Sequence, residues 1–377
     1  MIITRLETYT LGHLSVVRAL TDDGLEGFGQ MSPFNADISA AVFHRQGAPL
    51  ALGWRADDIE GLVDRLFEAN YKFPGSYVCR AVTGLDTALW DLRGKQAGKS
   101  VCELLGGVPQ PVVVYGSSMR RDIRPEEEAE RLVGLREKSG FRAFKVRIGK
   151  VCGHDEDEWP GRTEALIPAV RKALGEGITI LADGNSCYTP GKAIEVGRML
   201  QDYAIGHFEE PCPYWELEWT AQVAQALEMP VAGGEQDFDL CQWRRILQLR
   251  AVDIVQPDVC YIGGLTRALR VAQWADKAGF ICVPHSANDS MVLTFTLHLM
   301  GAIPNAGPHV EYSIEPSICP EGLYTPAPVV HTGMVSIPSG PGWGVTLNPD
   351  WLAAAECRTS ELESSQTRSR NALIVAV

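Results

Sequence analysis

Two rhythms of apolar and polar positions divide the chain. Near the start, "MIITRLETYTL" (1–11) and "SVVRALTDDGLEGFGQ" (15–30) read as β-type runs, and Asp-Gly at 23–24 sits between two of them as a hairpin turn requires. "MSPFNADIS" (31–39), with its Pro, Asn and Ser, reads as a loop. From about residue 56 the spacing turns helical. In "RAVTGLDTALWDLRGKQAG" (80–98), Val82, Leu85, Leu89 and Leu92 share a helical face and Gly98 marks a stop. This first region is α+β.

After "LLGGVPQPV" (104–112) the rhythm changes. Short β-branched runs ("VVVYGS", "FRAFKVRI", "ITILADGN", "AIGHFEEP", "MPVAGGEQ", "AVDIVQPD", "FICVPHS", "GPHVEYS") alternate with amphipathic stretches such as "TEALIPAVRKALGEG" and "GGLTRALRVAQWADKAG". Eight strands with seven intervening helical segments over residues 111–315 predict a parallel α/β barrel. A doubly wound open sheet competes, but no Gly-rich phosphate loop follows an early strand. From about 316 the alternation ends, and the Pro/Gly-rich segments through 357 are expected to return to the first domain, residues 1–110. Residues 358–377 are left unassigned.

Composition narrows the field. With 377 residues the chain exceeds the usual single core, and 45% hydrophobic with 21% charged residues is ordinary for a globular protein. A formal charge of −13 argues against nonspecific nucleic-acid binding, and an acidic substrate would need local cations. Ten scattered cysteines without a CxxC suggest reduced thiols in a cytoplasm rather than zinc ligands or disulfides. The N-terminal residues lack a signal-peptide pattern, and no apolar run reaches membrane-spanning length. A cytoplasmic protein with no membrane partner is expected.

The chemistry gathers at predicted strand ends. Asp183 ends "ITILAD", Glu209 ends "IGHFE" and Glu235 ends "PVAGGE", at equal intervals of 26 residues. In a parallel barrel these positions share one rim, where three carboxylates repel one another unless a hard cation such as Mg²⁺ joins them. The plainer reading is that each caps a following helix. In "FEEP", Glu209 is taken to face inward and Glu210 away. His285, after the seventh strand, and Asp258, just past the sixth, form a candidate base and its orienting carboxylate. Glu311, on the eighth strand, would donate a hydrogen bond to developing charge if kept protonated. Lys145 and Arg147, two apart in "FKVRIGK", share a strand face.

Together, "DDGLEGFG", "GLDTALWDLRGKQAGKSVCELLGG", "FKVRIGK", "LADGN", "FEEP", "GGEQ", "VQPDVCYIGGLTRALRVA" and "VPHSAND" resemble the mandelate racemase subgroup of the enolase superfamily over nearly the whole chain. The resemblance implies an α+β capping domain over a modified (β/α)7β TIM-type barrel. It implies Mg²⁺ held by Asp183, Glu209 and Glu235 and bound to a substrate carboxylate. It also implies an acid/base dyad of His285 and Asp258, Lys145 beside that carboxylate, Asn185 in contact with substrate, and a homo-oligomer. In much of the subgroup a lysine occupies the position of Arg147 and acts as a second base. Arginine seldom yields a proton, so two-base racemisation is disfavoured, and a guanidinium suits another anionic or hydroxylated part of the substrate.

These readings predict a sugar-acid dehydratase in which His285 serves both proton transfers and yields a 2-keto-3-deoxy acid. A racemase, epimerase or cycloisomerase is the runner-up, reached if Arg147 lowers the pKa of Lys145 enough to make it a base. A non-catalytic barrel that binds metal and sugar acid is the alternative from another class. The loops at 31–37 and 70–77 are expected to close over the site, with Phe34, Asn35 and Tyr77 lining it.

Overall fold

A computed structural model describes residues 1–73, 75–319 and 322–362 of the chain. Strands β1 (Ile3–Leu11), β2 (Leu14–Thr21) and β3 (Glu26–Gln30) form an antiparallel meander. The β2–β3 turn closes with Gly24 N donating to Thr21 O at 3.1 Å, and Gly24 adopts φ +82°, which suits glycine. The long helix Ser76–Ala97 packs on β3. Contact is close because β3 carries glycines: a Cβ on Gly29 would lie 2.2 Å from Thr87 Oγ1 and 2.4 Å from the Ala88 amide nitrogen. Gly98 ends the helix in the left-handed region, φ 65°. Helical structure starts at Ala36, with Ala36–Val42, rather than near residue 56. The alanines of "ADISAAV" allow it, and Ala36 and Ala40 are buried.

Eight parallel strands follow: β4 (Val112–Ser117), β5 (Ala143–Arg147), β6 (Thr179–Asp183), β7 (Phe208–Glu209), β8 (Val231–Gly233), β9 (Ile254–Val255), β10 (Ile281–Cys282) and β11 (Val310–Ser313). Their order is β10-β9-β8-β7-β6-β5-β4-β11. Each of the seven crossings carries at least one helix, among them Arg162–Leu174 and Leu265–Lys277. This is the α/β barrel of (β/α)7β type expected from the alternation. Between β10 and β11 the sheet continues through a bridge of Cys282 with Ala306, where Cys282 N donates to Asn305 O at 2.9 Å and Gly307 N donates to Cys282 O at 3.0 Å.

Beyond the barrel, β12 (Tyr324–Thr325) pairs with β14 (Thr346–Leu347), and β13 (Met334–Val335) runs antiparallel to β4. Strand β15 (Glu356–Glu361) then pairs with β1, so the N-terminal sheet is ordered β15-β1-β2-β3. Part of the stretch left unassigned from the sequence is thus an edge strand; residues 363–377 lie outside the described residues. Cys79, Cys102, Cys152, Cys187, Cys212, Cys241, Cys260, Cys282 and Cys357 are free thiols. Among the described residues, no helix is long and apolar enough to cross a membrane.

The two parts meet at Asp86, buried on the helix Ser76–Ala97 with its carboxylate 3.3 and 3.4 Å from the Thr266 amide nitrogen, at the start of the helix Leu265–Lys277. Burial pushes its pKa from 3.8 up to about 7, against the pull of the Thr266 hydrogen bonds. A raised folded-state pKa makes the folded protein hold its proton longer than the unfolded chain. The resulting stability is complete below pH 3.8 and is lost as pH rises through about 7, by roughly 4 kcal/mol for a shift of this size. Asp86→Asn should therefore flatten the fall in urea midpoint between pH 4 and 7.5. An unchanged slope in the variant would show that another group sets it.

Candidate active site

Strand β5 presents Lys145 and Arg147 to one face, both buried in the barrel mouth. Parallel pairing sets Arg147 opposite Asp183 and Asp183 opposite Glu209, so the cations and two of the predicted acids meet at one level. The Lys145 ammonium bonds Glu209 Oε1, lies 2.8 Å from Glu311 Oε1 and 3.5 Å from Asp183 Oδ2. Burial alone would lower its pKa, but Glu209 and Glu311 outweigh burial and hold it above the ordinary lysine value. The sequence-based route to a basic Lys145, depression by Arg147, is thereby corrected: Arg147 does push it down, and two carboxylates override it. Arg147 Nη1 bonds Asp183 Oδ2 and donates to Asn185 Oδ1 at 2.8 Å.

Glu311 is also corrected. It accepts from Ser117 Oγ at 2.7 Å and from the Ser286 amide at 2.9 Å. Burial would raise its pKa, but Lys145 and His285 hold it below the usual carboxylate range. A carboxylate so placed accepts; it does not donate as a neutral acid.

Glu210 departs from expectation in another way. It takes φ +40°, which turns it into the site instead of away, and it is buried. Asn185, also left-handed at φ 40°, donates to Glu210 Oε2 at 3.5 Å. Burial, reinforced by Glu235 and Glu209, keeps the Glu210 pKa well above the carboxylate range, and its Oε1 is buried without a hydrogen-bond partner. The sequence signal was present in the doubled glutamate, but a period-two strand reading fails where φ changes sign.

Asp258 and His285 form the predicted pair. Asp258 Oδ1 accepts from the amides of Cys260 (2.6 Å) and Tyr261 (2.9 Å), capping the helix Val259–Ile262, while Oδ2 lies 2.7 Å from His285 Nδ1. Capping and orienting are thus done by one carboxylate. His285 Nε2 faces Glu235 Oε2 at 3.1 Å and Glu311 Oε2 at 3.8 Å. Burial would depress the imidazole, but Glu235, Glu311 and Asp258 raise its pKa to about 10.

The three acids spaced by 26 residues are less gathered than expected. Among the described residues, no three His, Cys, Asp or Glu side chains are arranged to hold a metal ion. The reason is local. Asp183 and Glu209 are engaged by Arg147 and Lys145, and Glu209 Oε2 also accepts from Gln256 Nε2 at 2.7 Å. Glu235 is turned toward His285. Donor type and charge still suit a hard divalent cation. Counted formally, the five carboxylates of Asp183, Glu209, Glu235, Asp258 and Glu311 are in contact with one lysine, one arginine and two histidines (His207 and His285), so even with both rings charged one negative charge stays buried without a counterpart. Glu235 Oε2, meanwhile, has the ion contact with His285 Nε2 at 3.1 Å but no regular hydrogen bond.

The cap loops contribute differently from expectation. Phe34 is 47% exposed, with its ring 5.2 Å from His13, and Asn35 Nδ2 donates to Tyr77 Oη at 3.1 Å. Among the described residues, these loop side chains contact one another and His13, and none is hydrogen-bonded to the acids. Arg80 makes the link instead. It stacks 4.1 Å over the Tyr261 ring, which lies 5.8 Å from His285, and bonds Ser32 Oγ.

The chain matches the family model for an enolase C-terminal domain-like region over residues 127–351. Residues 3–106 match the model of the mandelate racemase / muconate lactonizing enzyme N-terminal domain. Arabinonate dehydratase of Saccharolobus solfataricus is 30% identical, over 90% of this chain and 89% of that one. A crystal structure from Roseobacter denitrificans, which carries the provisional name of a racemase, is 51% identical with a TM-score of 0.94, covering 96% of this chain and all of that one. A mandelate racemase/muconate lactonizing protein from Paracoccus denitrificans, solved with magnesium, is 27% identical with a TM-score of 0.87, covering 96% and 98%.

Proposed function

Because the chain belongs to the enolase superfamily, in its mandelate racemase subgroup, we propose that it is a Mg²⁺-dependent dehydratase of a sugar acid. The observation that carries this reading is the asymmetry of the site's bases. His285 is oriented by Asp258 at 2.7 Å, while Lys145 is fully buried between Glu209 and Glu311 and Arg147 is a guanidinium. One imidazole oriented by a carboxylate, beside two cations held in ion pairs, fits a reaction in which a single group takes a proton and returns it.

Asp183, Glu209 and Glu235 would hold the metal. Mg²⁺, when bound, would draw charge from the substrate carboxylate and, through Glu235, relieve His285 of part of the charge that keeps it protonated. Neutral His285 Nε2 then removes the proton on the carbon next to the carboxylate. The electron pair left behind forms a C–C double bond as the bond to the neighbouring hydroxyl breaks. The imidazolium delivers its proton to the departing oxygen, so water leaves from the same face, and the enol becomes a 2-keto-3-deoxy acid. Asp258 stabilises the imidazolium between the two transfers, and Lys145 offsets charge at the substrate carboxylate.

The test is incubation with Mg²⁺ and a panel of sugar acids, following 2-keto-acid formation and solvent deuterium incorporation. Release of water with 2-keto-acid is expected. Inversion of a stereocentre without loss of water would overturn the dehydratase and favour the racemase or epimerase reading.

A further inference from the structure

Three arginines meet on the β4–β6 side of the barrel mouth, and among the described residues only one of them, Arg147, has a carboxylate within salt-bridge distance. Arg121, in the loop after β4, spends its donors on neutral oxygens: Nε on Gly149 O at 3.0 Å, and Nη2 on Ile148 O at 3.4 Å and Asn185 Oδ1 at 2.9 Å. Arg147 Nη1, which bonds Asp183 Oδ2, also donates to the same Asn185 oxygen, 2.8 Å away, while Nη2 turns onto the Met119 sulfur at 2.7 Å, a weak acceptor. Arg162 lies beneath, fully buried. It donates to the carbonyls of Arg147 (2.9 Å) and Arg120 (3.2 Å), and its Nε has no partner.

Asp183 balances Arg147, but Arg121 and Arg162 face only carbonyls and an amide, which leaves their charge without a carboxylate partner and is costly in a poorly solvated place. Burial, followed by Arg147 and Arg162, lowers the pKa of Arg121 to about 10. The surplus lies across Asn185 from the carboxylates, beside the region where the reacting end of the substrate is placed in the reading above. An anion on the substrate's far end would supply what these forks lack. Planar two-donor forks match a carboxylate.

Resting on the dehydratase reading, we propose that Arg121 and Arg147 receive a second carboxylate, so that the substrate is a dicarboxylic sugar acid. Hydroxy acids that end in an alcohol would leave Arg121 without a carboxylate and Arg147 with Asp183 alone. A chain with formal charge −13 would otherwise repel a dianion, and this cluster provides the local exception.

The experiment compares matched acids that differ only at the far end, galactarate with galactonate and glucarate with gluconate, in Mg²⁺ buffer. Each is read by 2-keto-acid formation and by the shift in thermal midpoint. The intact protein should favour at least one diacid over its monoacid by about 30-fold or more in kcat/KM or affinity. Arg121→Met should remove most of that preference, chiefly through the KM for the diacid, with Arg121→Lys in between. A merely structural Arg121, stapling the loops through Ile148 and Gly149, would weaken both acids equally, and that result overturns the proposal. So does a ratio near one in the intact protein, including no response to either member of every pair. Diacid-selective binding lost in Arg121→Met, without any 2-keto-acid, would sustain this inference while removing the dehydratase.

Discussion

His285→Asn should abolish exchange of the substrate's α-proton with D₂O and lower turnover by about 10⁴-fold or more, because one ring serves both proton transfers. Asparagine can keep the hydrogen bond to Asp258 Oδ2, now 2.7 Å from Nδ1, so the fold and ligand binding should persist. The check is proton exchange by NMR beside a binding measurement on the same sample. Exchange at a wild-type rate in the variant would move the base elsewhere. Lys145 is the residue it would move to, and its place between Glu209 and Glu311 explains why that outcome is not expected.

Lys145→Met should be the most damaging substitution for stability. It removes the one ammonium in contact with Asp183, Glu209 and Glu311, all fully buried. Leaving such charges unpaired costs about 3–5 kcal/mol, more than an ordinary core truncation to a residue of similar length. A lower urea midpoint is expected, with partial recovery when Glu311→Gln is added, since that removes one of the orphaned charges. If the single variant unfolds at the wild-type midpoint, the carboxylates are satisfied by something other than Lys145.

These two side chains illustrate what a linear sequence discloses. The barrel was legible because strand and helix periodicities alternate over two hundred residues, and the acid positions because a βα unit repeats at an interval of 26. His285 with Asp258 followed from strand adjacency. Protonation did not follow, because it depends on neighbours brought together from distant strands. Lys145 looked depressible beside Arg147 until Glu311, far along the chain, closed against it. Glu210 was misdirected because alternation assumes negative φ, and its backbone takes +40°. The cap loops were placed by the capping domain that the resemblance implies, which does not reveal that Arg80 reaches toward the dyad through Tyr261. Arg121 carries no motif; only its surroundings set it apart.

Pairing of β15 with β1 has a bearing on how the protein is made. Arg5 is in register with Glu361 and lies 3.2 Å from its carboxylate, although some 350 residues separate them in the chain. During synthesis, β1 can pair on one side with β2 as soon as β2 follows it. Its other side stays an open hydrogen-bonding edge until translation has passed the whole barrel. A ribosome-bound chain stopped before residue 356 should therefore expose β1 to added protease or to a strand-mimicking peptide, whereas the released protein should not.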